Sequence, residues 1–245
     1  MNEGMCRQNI GGRTPEFDLP VLSVAAHELK SPLALIRQLA QSLDQDVAYS
    51  AEEIEQIAAK IRLTSERALR LATDLTRAER LQDTLFELEP INPISVCEDV
   101  VREMTPLFRA RGRGMNVSNK KRLPAVVANR DLLQRVLINF ADNALHYGGS
   151  EKSVSFRAQA TRDGRLVRIA IRDYGPDVPI DVWRSIQKAG RYPQAVSRRP
   201  ESSGLGLYLA QQFAETMNAS LGVIRHRDGA SFYIDLKGST QLSLL

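Results

Sequence analysis

Between Leu22 and Leu43 the apolar residues recur at alternating intervals of four and three: Leu22, Ala26, Leu29, Leu33, Ile36, Ala40 and Leu43. This is a heptad seam, and it commits the segment to a helix packed against other helices. Asp44 to Tyr49 breaks the pattern. Ser50-Ala-Glu-Glu53 then supplies a capping box that opens a second helix. Its seam runs Ile54, Ile57, Ile61, Thr64, Ala68, Leu71, Leu75 and Ala78 and carries on toward the mid-80s. Two long helices joined by a short turn form an antiparallel hairpin. One hairpin cannot bury both stripes, so a dimeric four-helix bundle is the expected solution.

After Pro90-Ile-Asn-Pro93, which reads as a linker, the periodicity changes. Residues 94–110 are helix-like, 116–118 and 125–127 are short strand or loop pieces, and 130–147 form an amphipathic helix. Residues 153–159 and 165–172 alternate as strands around an Asp163-Gly164 turn. A helix over 205–217 and a hairpin of 221–225 with 231–236 close the chain. The expected fold class is α+β: a helical hairpin followed by a two-layer α/β sandwich. The expected units are a polar tail at 1–18, the hairpin at 19–89, the sandwich at 90–240 and a short tail at 241–245.

Composition excludes several alternatives. Apolar residues make up 43% of the 245 and charged residues 25%, enough for a core without staples. Cys6 and Cys97 lie far apart with no CxxC spacing, which argues against structural zinc and for a reducing compartment. No apolar run approaches the roughly 18 residues of a membrane span, and the first 20 residues lack a signal segment. A soluble, cytoplasmic chain is expected, unless residue 1 begins a fragment of a larger receptor. Net charge is only +4, with basic residues scattered or in small clusters such as Arg109-Ala-Arg111-Gly-Arg113, and aromatics are 6%. A nucleic-acid partner is not expected from this pattern.

Four segments carry chemistry. The first is Ser23-Val-Ala-Ala-His27-Glu28-Leu29-Lys30-Ser31-Pro32 on the first helix. His27 flanks the seam and should reach solvent. Glu28 can accept its Nδ1 proton and leave Nε2 the better nucleophile. Pro32 cannot donate to the Glu28 carbonyl, so the helix should bend or loosen there. A lone surface histidine is the plainer reading of the same residue. The second segment is Asn139-Phe-Ala-Asp-Asn143, whose two asparagines share a helix face. They can hold Mg²⁺ together with phosphate oxygens, or simply hydrogen-bond within a core. His146 and Tyr147, one turn on, are placed to line the same pocket.

The third segment is Asp173-Tyr-Gly175 at a strand end, where a carboxylate can accept from an adenine amino group and a glycine lets the base approach. The fourth is Ser202-Ser203-Gly204-Leu205-Gly206-Leu207, glycines at a helix start that suit an anion. Between the third and fourth, residues 177–200 form a long aperiodic stretch with Lys188, Arg191, Arg198 and Arg199, as in a lid.

In order and spacing these segments resemble the sensor histidine kinases of two-component systems over about residues 19–240. His27 to Pro32 is similar to that family's H box and Asn139 to Tyr147 to its N box. Asp173-Tyr-Gly175 and Gly204-Leu-Gly206-Leu are similar to its two glycine boxes. The resemblance implies a homodimeric hairpin followed by a Bergerat-type ATP-binding sandwich, as in gyrase-type ATPases. It implies that His27 takes the γ-phosphoryl of ATP and passes it to an aspartate of a response regulator. In that scheme Glu28 is the base, Asn143 and Asn139 bind Mg²⁺, and Asp173 recognises adenine. His146, Tyr147, Gly175, Ser203, Gly204, Leu205, Gly206 and Leu207 line the nucleotide pocket. Ser31 positions water if the protein also dephosphorylates its regulator.

Three positions depart from the family pattern. Asp177 replaces the second glycine of the first glycine box, Trp183-Arg-Ser-Ile-Gln-Lys-Ala-Gly190 is a poor phenylalanine box, and His146 stands where Lys or Arg is common. These departures keep two alternatives open: a nucleotide-binding dimeric scaffold with little kinase activity, or a mainly phosphatase-acting enzyme. The hairpin carrying His27 argues against a plain gyrase- or chaperone-type ATPase.

Overall fold

A computed structural model describes residues 19–44, 49–81, 86–118, 123–147, 153–161, 163–175, 183 and 205–239. The chain opens with α1 (Leu19–Leu43) and α2 (Ala51–Glu79), two helices packed side by side. The capping box is present: Glu53 N–H donates to Ser50 Oγ at 3.2 Å and Ser50 N–H to Glu53 Oε2 at 2.8 Å. Those bonds satisfy two donors that helix geometry leaves without partners. Pro32 lies inside α1, which continues past it.

The seam of α1 and the first turns of the α2 seam are not covered by the chain's own fold. Leu33 is 58% exposed and Ile54 46%, far above what a packed seam tolerates. In α1 a neighbouring face is buried instead, whereas in α2 the later part of the expected seam is the part that meets the core. Ala25 and Ala68 enter the core, and Val24, Leu63, Leu71, Leu75 and Ala78 pack against it. Ala26, which the four-three spacing puts in the seam, is exposed while its neighbour Ala25 is buried. The reason is tertiary: α1 and α2 both lean on the helix layer of the second unit.

The expected linker at 90–93 is a correction. Glu89–Ile91 is strand β1, antiparallel to β3 (Val126–Ala128), with Glu89 opposite Ala128 and Ile91 opposite Val126. A proline is tolerated there because the two-stranded ribbon is all edge. Pro93 then becomes the first residue of α3 (Pro93–Arg109), with Asn92 as cap accepting from Ile94 N–H at 3.0 Å. A fixed φ and a missing donor cost nothing at that helix position.

The main sheet has the order β2-β4-β5-β7-β6, formed by Met115–Val117, Val154–Ala160, Leu166–Arg172, Gly229–Lys237 and Ser220–His226 respectively. Only β2–β4 is parallel; the other pairs are antiparallel. Residues 163–164 turn the β4–β5 connection, with Gly164 at φ +68°. Helices α3, α4 (Arg130–Tyr147) and α5 (Leu205–Thr216) form the second layer. The alternation in β5 is clean: Val167, Ile169 and Ile171 are buried, and Arg168, Ala170 and Arg172 face the other way. On that outer face Arg168 Nε and Nη2 both donate to Asp235 at 2.7 Å. Its guanidinium lies 3.7 Å over the Tyr233 ring. The core joins Val100, Met104 and Phe108 of α3, Leu133, Leu137 and Phe140 of α4, and Leu209 and Phe213 of α5 to Phe156, Ile169 and Ile234 of the sheet. Cys97 belongs to this core, and burial pushes its thiol up to about 12, so it is a packing residue.

Candidate active site

Asp173 leaves the end of β5 almost fully buried, at 4% exposure. Its carboxylate is held by backbone: Gly175 N–H at 3.2 Å and Ala230 N–H at 3.0 Å both donate to Oδ1. Its own N–H donates to the Ala230 carbonyl at 2.9 Å. The β6–β7 turn comes this close because Gly229 has φ +130° and no side chain. A Cβ there would lie 2.4 Å from the Asp173 carbonyl oxygen.

Asn139 and Asn143 share one face of α4. Asn129 starts that helix, accepting from Leu132 N–H at 3.1 Å through Oδ1. Asn139 is half-buried, and its Nδ2 donates to the Arg135 carbonyl at 3.0 Å. Gly206 opens α5 against it; a Cβ on Gly206 would lie 2.9 Å from Asn139 Oδ1. Leu205 is buried beside it and Leu207 packs against the core. Asn143 Nδ2 is buried with no hydrogen-bond partner among the described residues. An amide in a finished core would be paired. His146 and Tyr147 lie in the last turn of α4. Ser203, Gly204, Asp177 and the basic residues 188–199 lie outside the described residues, as does the proposed phenylalanine box except for Trp183.

On the hairpin, His27 is exposed, in agreement with its place beside the seam. Glu28 and Ser31 line a cavity of about 780 Å³ between the hairpin and the second unit, closed on the far side by Leu107, Arg111 and Asp142. His27 is not among the residues lining it. The H-box residues thus divide between solvent and an interdomain space.

Sequence reasoning missed one residue of this neighbourhood. Asp74 of α2 is 5% exposed, with its carboxylate 3.5 Å from Arg135 Nη1 of α4. It also takes a hydrogen bond from Asn139. Burial pushes its carboxyl up to about 6, against the pull of Arg135 and Arg77 and with a smaller push from Asp142. Beside it Arg77 pairs with Asp131 at 3.3 Å. A signal was present: Asp74 stands three residues after Leu71 and four before Ala78, at the spacing of a buried face.

A strand-end carboxylate, an orphaned amide and a glycine-lined helix start therefore converge within one sandwich. Residues 128–240 match the family described as histidine kinase-, DNA gyrase B-, and HSP90-like ATPases. The adaptive-response sensory kinase SasA of Prochlorococcus marinus is 28% identical over 218 residues, which cover 87% of this chain. The chain is similar to histidine kinases over most of its length. It spans 55% of that relative's length. Among solved structures, full-length ShkA in complex with AMPPNP aligns over 91% of this chain and 47% of its own, with TM-score 0.60 and 22% identity. Histidine kinase ThkA in complex with the response regulator protein TrrA aligns over 89% and 61%, also with TM-score 0.60, at 17% identity. At those identities the likeness shows the fold alone: helices followed by an α/β sandwich, arranged as in those structures. Among the described residues no helix is long and apolar enough to cross a membrane.

Proposed function

We propose that the chain is an ATP-dependent protein-histidine kinase of a two-component system. The observation that carries this is the joining, in one chain, of an exposed His27 beside half-buried Glu28 to a sandwich similar to the ATPase family. In this reading residues 19–89 are the dimerising phosphoacceptor unit, residues 90–240 the ATP-binding unit, and the protein works in the cytoplasm. His27 Nε2 attacks the γ-phosphorus, the bond to the β,γ-bridging oxygen breaks, and ADP leaves. Glu28 takes the Nδ1 proton as the phosphoimidazole forms. The phosphoryl group then passes to an aspartate of a response-regulator receiver domain. That ThkA has been crystallised with a response regulator supports this partner class.

Asp173 accepts the adenine amino group; both of its backbone bonds fall on Oδ1. In this reading Gly175, Leu205, Gly206 and Leu207 belong to the pocket beside it, and Ser203, Gly204, His146 and Tyr147 are further residues expected to contact the nucleotide. The orphaned Asn143 Nδ2 donor suits a phosphate oxygen, and the Oδ1 atoms of Asn143 and Asn139 are the ones that would hold a phosphate-bound Mg²⁺. The ion would offset the charge of the transferring phosphoryl group.

The test is incubation of the whole protein with γ-labelled ATP and Mg²⁺. Label lost in acid, stable in base and absent from His27→Gln is expected, with ATP affinity unchanged in the variant. Full labelling of His27→Gln would overturn the assignment. Ser31 lines the cavity beside Glu28, which favours a second activity, hydrolysis of the regulator's phosphoaspartate. Ser31→Ala should slow loss of label from the regulator without changing autophosphorylation.

A further inference from the structure

Arg172 and Asp173 are neighbours at the end of β5, and the alternation of the strand sends them to opposite faces of the sheet. Asp173 points to the buried side. Arg172 lies half-buried on the outer face and meets three groups there. Its Nη1 donates to the Ala230 carbonyl at 3.2 Å, and its Nη2 donates to Asp228 Oδ1 at 2.5 Å. Its guanidinium lies 4.9 Å over the ring of Tyr174, the residue that follows Asp173. Asp228 and Ala230 belong to the β6–β7 turn, where His226 stands opposite Gly229 with Arg227 and Asp228 between them.

That turn is what holds Asp173. Ala230 N–H donates to Asp173 Oδ1 at 3.0 Å, and the Ala230 carbonyl accepts from Asp173 N–H at 2.9 Å. The same carbonyl therefore takes two donors, Asp173 N–H and Arg172 Nη1, one for each lone pair. Gly229, at φ +130°, gives the turn its close approach but leaves it a backbone with much freedom to lose. Arg172 ties that backbone down from the outer face. On the inner face the Ala230 and Gly175 N–H groups both bind Oδ1, which fixes the rotation of the carboxylate. Oδ2 takes no hydrogen bond among the described residues, so its direction is set by the turn.

We propose that Arg172 is a positioning residue that ties the β6–β7 turn to the end of β5, holds Asp173 in the rotation that accepts from a 6-amino group, and thereby sets selectivity for adenine over 6-oxo purines. This rests on the nucleotide pocket of the kinase reading. The pair with Asp228 contributes little by itself, because the Asp228 side chain is 59% exposed and its charge is screened. The shape of the fork matters more. One arm reaches a carbonyl, the other a carboxylate, and the plane covers a ring, which a lysine ammonium on the same stem does not reproduce. Arg168 is the natural control: it lies on the same face of β5 but pairs with Asp235 and covers Tyr233 instead.

Two measurements on the full chain test this. The first needs no nucleotide: hydrogen exchange of the Ala230 and Gly175 amides, followed by NMR, should be about tenfold faster in Arg172→Met and Arg172→Lys, faster by less in Asp228→Asn, and unchanged in Arg168→Met. The second compares binding of ATP with that of ITP, whose 6-position is a carbonyl, in the presence of Mg²⁺. Both Arg172 variants are expected to weaken ATP binding about tenfold and ITP binding much less, because a loosened Asp173 loses a bond only the amino group makes. KM for ATP should rise while kcat stays within about twofold. Arg168→Met should leave the ATP:ITP ratio unchanged. Equal losses for both nucleotides would reduce Arg172 to a structural tie and overturn the proposal, as would unchanged amide exchange. If Arg172→Met fails to fold, Arg172→Lys and Asp228→Asn decide. A wild-type chain that binds neither nucleotide overturns the kinase reading and the selectivity with it, whereas unchanged exchange overturns the tie alone.

Discussion

Asp74 Oδ1 lies 3.5 Å from Arg135 Nη1, so a buried carboxylate of α2 faces a guanidinium of α4 across the contact between the hairpin and the ATPase unit. Burial outweighs the attraction, and the carboxyl sits at about 6 rather than its ordinary 3.8. The docked state therefore holds a proton that the undocked state releases between about pH 4 and 6. Docking should strengthen as pH falls from about 6 to about 4, and should weaken as pH rises through the same window and level off above it. With one proton linked, the effect is at most about tenfold per pH unit. The groups facing Asp74 are Arg77 on its own helix and Arg135, Asn139 and Asp142 on α4. Amide hydrogen exchange of α2 and α4, without nucleotide or Mg²⁺, should show less protection at pH 7.5 than at pH 5, and Asp74→Asn should abolish the difference.

Gly229→Ala should damage both stability and nucleotide binding. The new Cβ meets the Asp173 carbonyl at 2.4 Å in a backbone conformation that L residues avoid. A cost of about 2 kcal/mol or more is expected in urea denaturation. Calorimetry should show ATP affinity falling with it. A variant with wild-type denaturation and affinity would mean that the turn does not support Asp173.

Asn143→Ala should separate function from stability. Its Nδ2 is buried without a partner among the described residues, so truncation removes an unsatisfied donor rather than a bond. Melting temperature should hold or rise, with a gain of up to about 1 kcal/mol. Mg²⁺-dependent ATP binding and phosphotransfer should both drop. A clear loss of stability would instead make Asn143 a core residue.

Leu33→Glu places a charge on the uncovered seam of α1, where Leu33 is 58% exposed. Sedimentation should report a mass near twice the chain for wild type and near once for the variant. Equal masses would argue against pairing through this stripe.

Ser50→Ala removes the Oγ that accepts from Glu53 N–H at the start of α2 and leaves the Ser50 N–H bond to the Glu53 carboxylate. A loss of about 1 kcal/mol is expected, read as a lower unfolding midpoint of the hairpin.

The hairpin, the sandwich and the placing of Asn139 and Asn143 on one helix, Asp173 at a strand end and Gly206 at a helix start were legible because local chemistry fixes them. Heptad spacing, a capping box and glycines beside polar side chains act within a few residues. Strand β1 was not legible: Pro90 suggests a break, and its partner β3 lies more than thirty residues away. Asp74 and Arg113 were hidden for a related reason. Each looks like a surface charge until another element covers it, α4 in the first case and the turn at Gly112 in the second. Ala25 replaced Ala26 at the buried face because the seam spacing speaks for one partner surface and the docked ATPase unit supplies another.

The β1–β3 ribbon has a mechanical consequence. From Glu89 the chain is laced by ladder hydrogen bonds to β3, and β3 runs through Asn129 directly into α4. Asn129 Nδ2 also donates to the Glu87 carbonyl at 3.2 Å, extending the lacing back toward the hairpin. A shear applied at Glu87 is therefore delivered to the root of α4 rather than dissipated in slack chain. Any movement of α2 relative to the main sheet is thereby coupled to the root of α4, with a short lever arm onto the asparagine face.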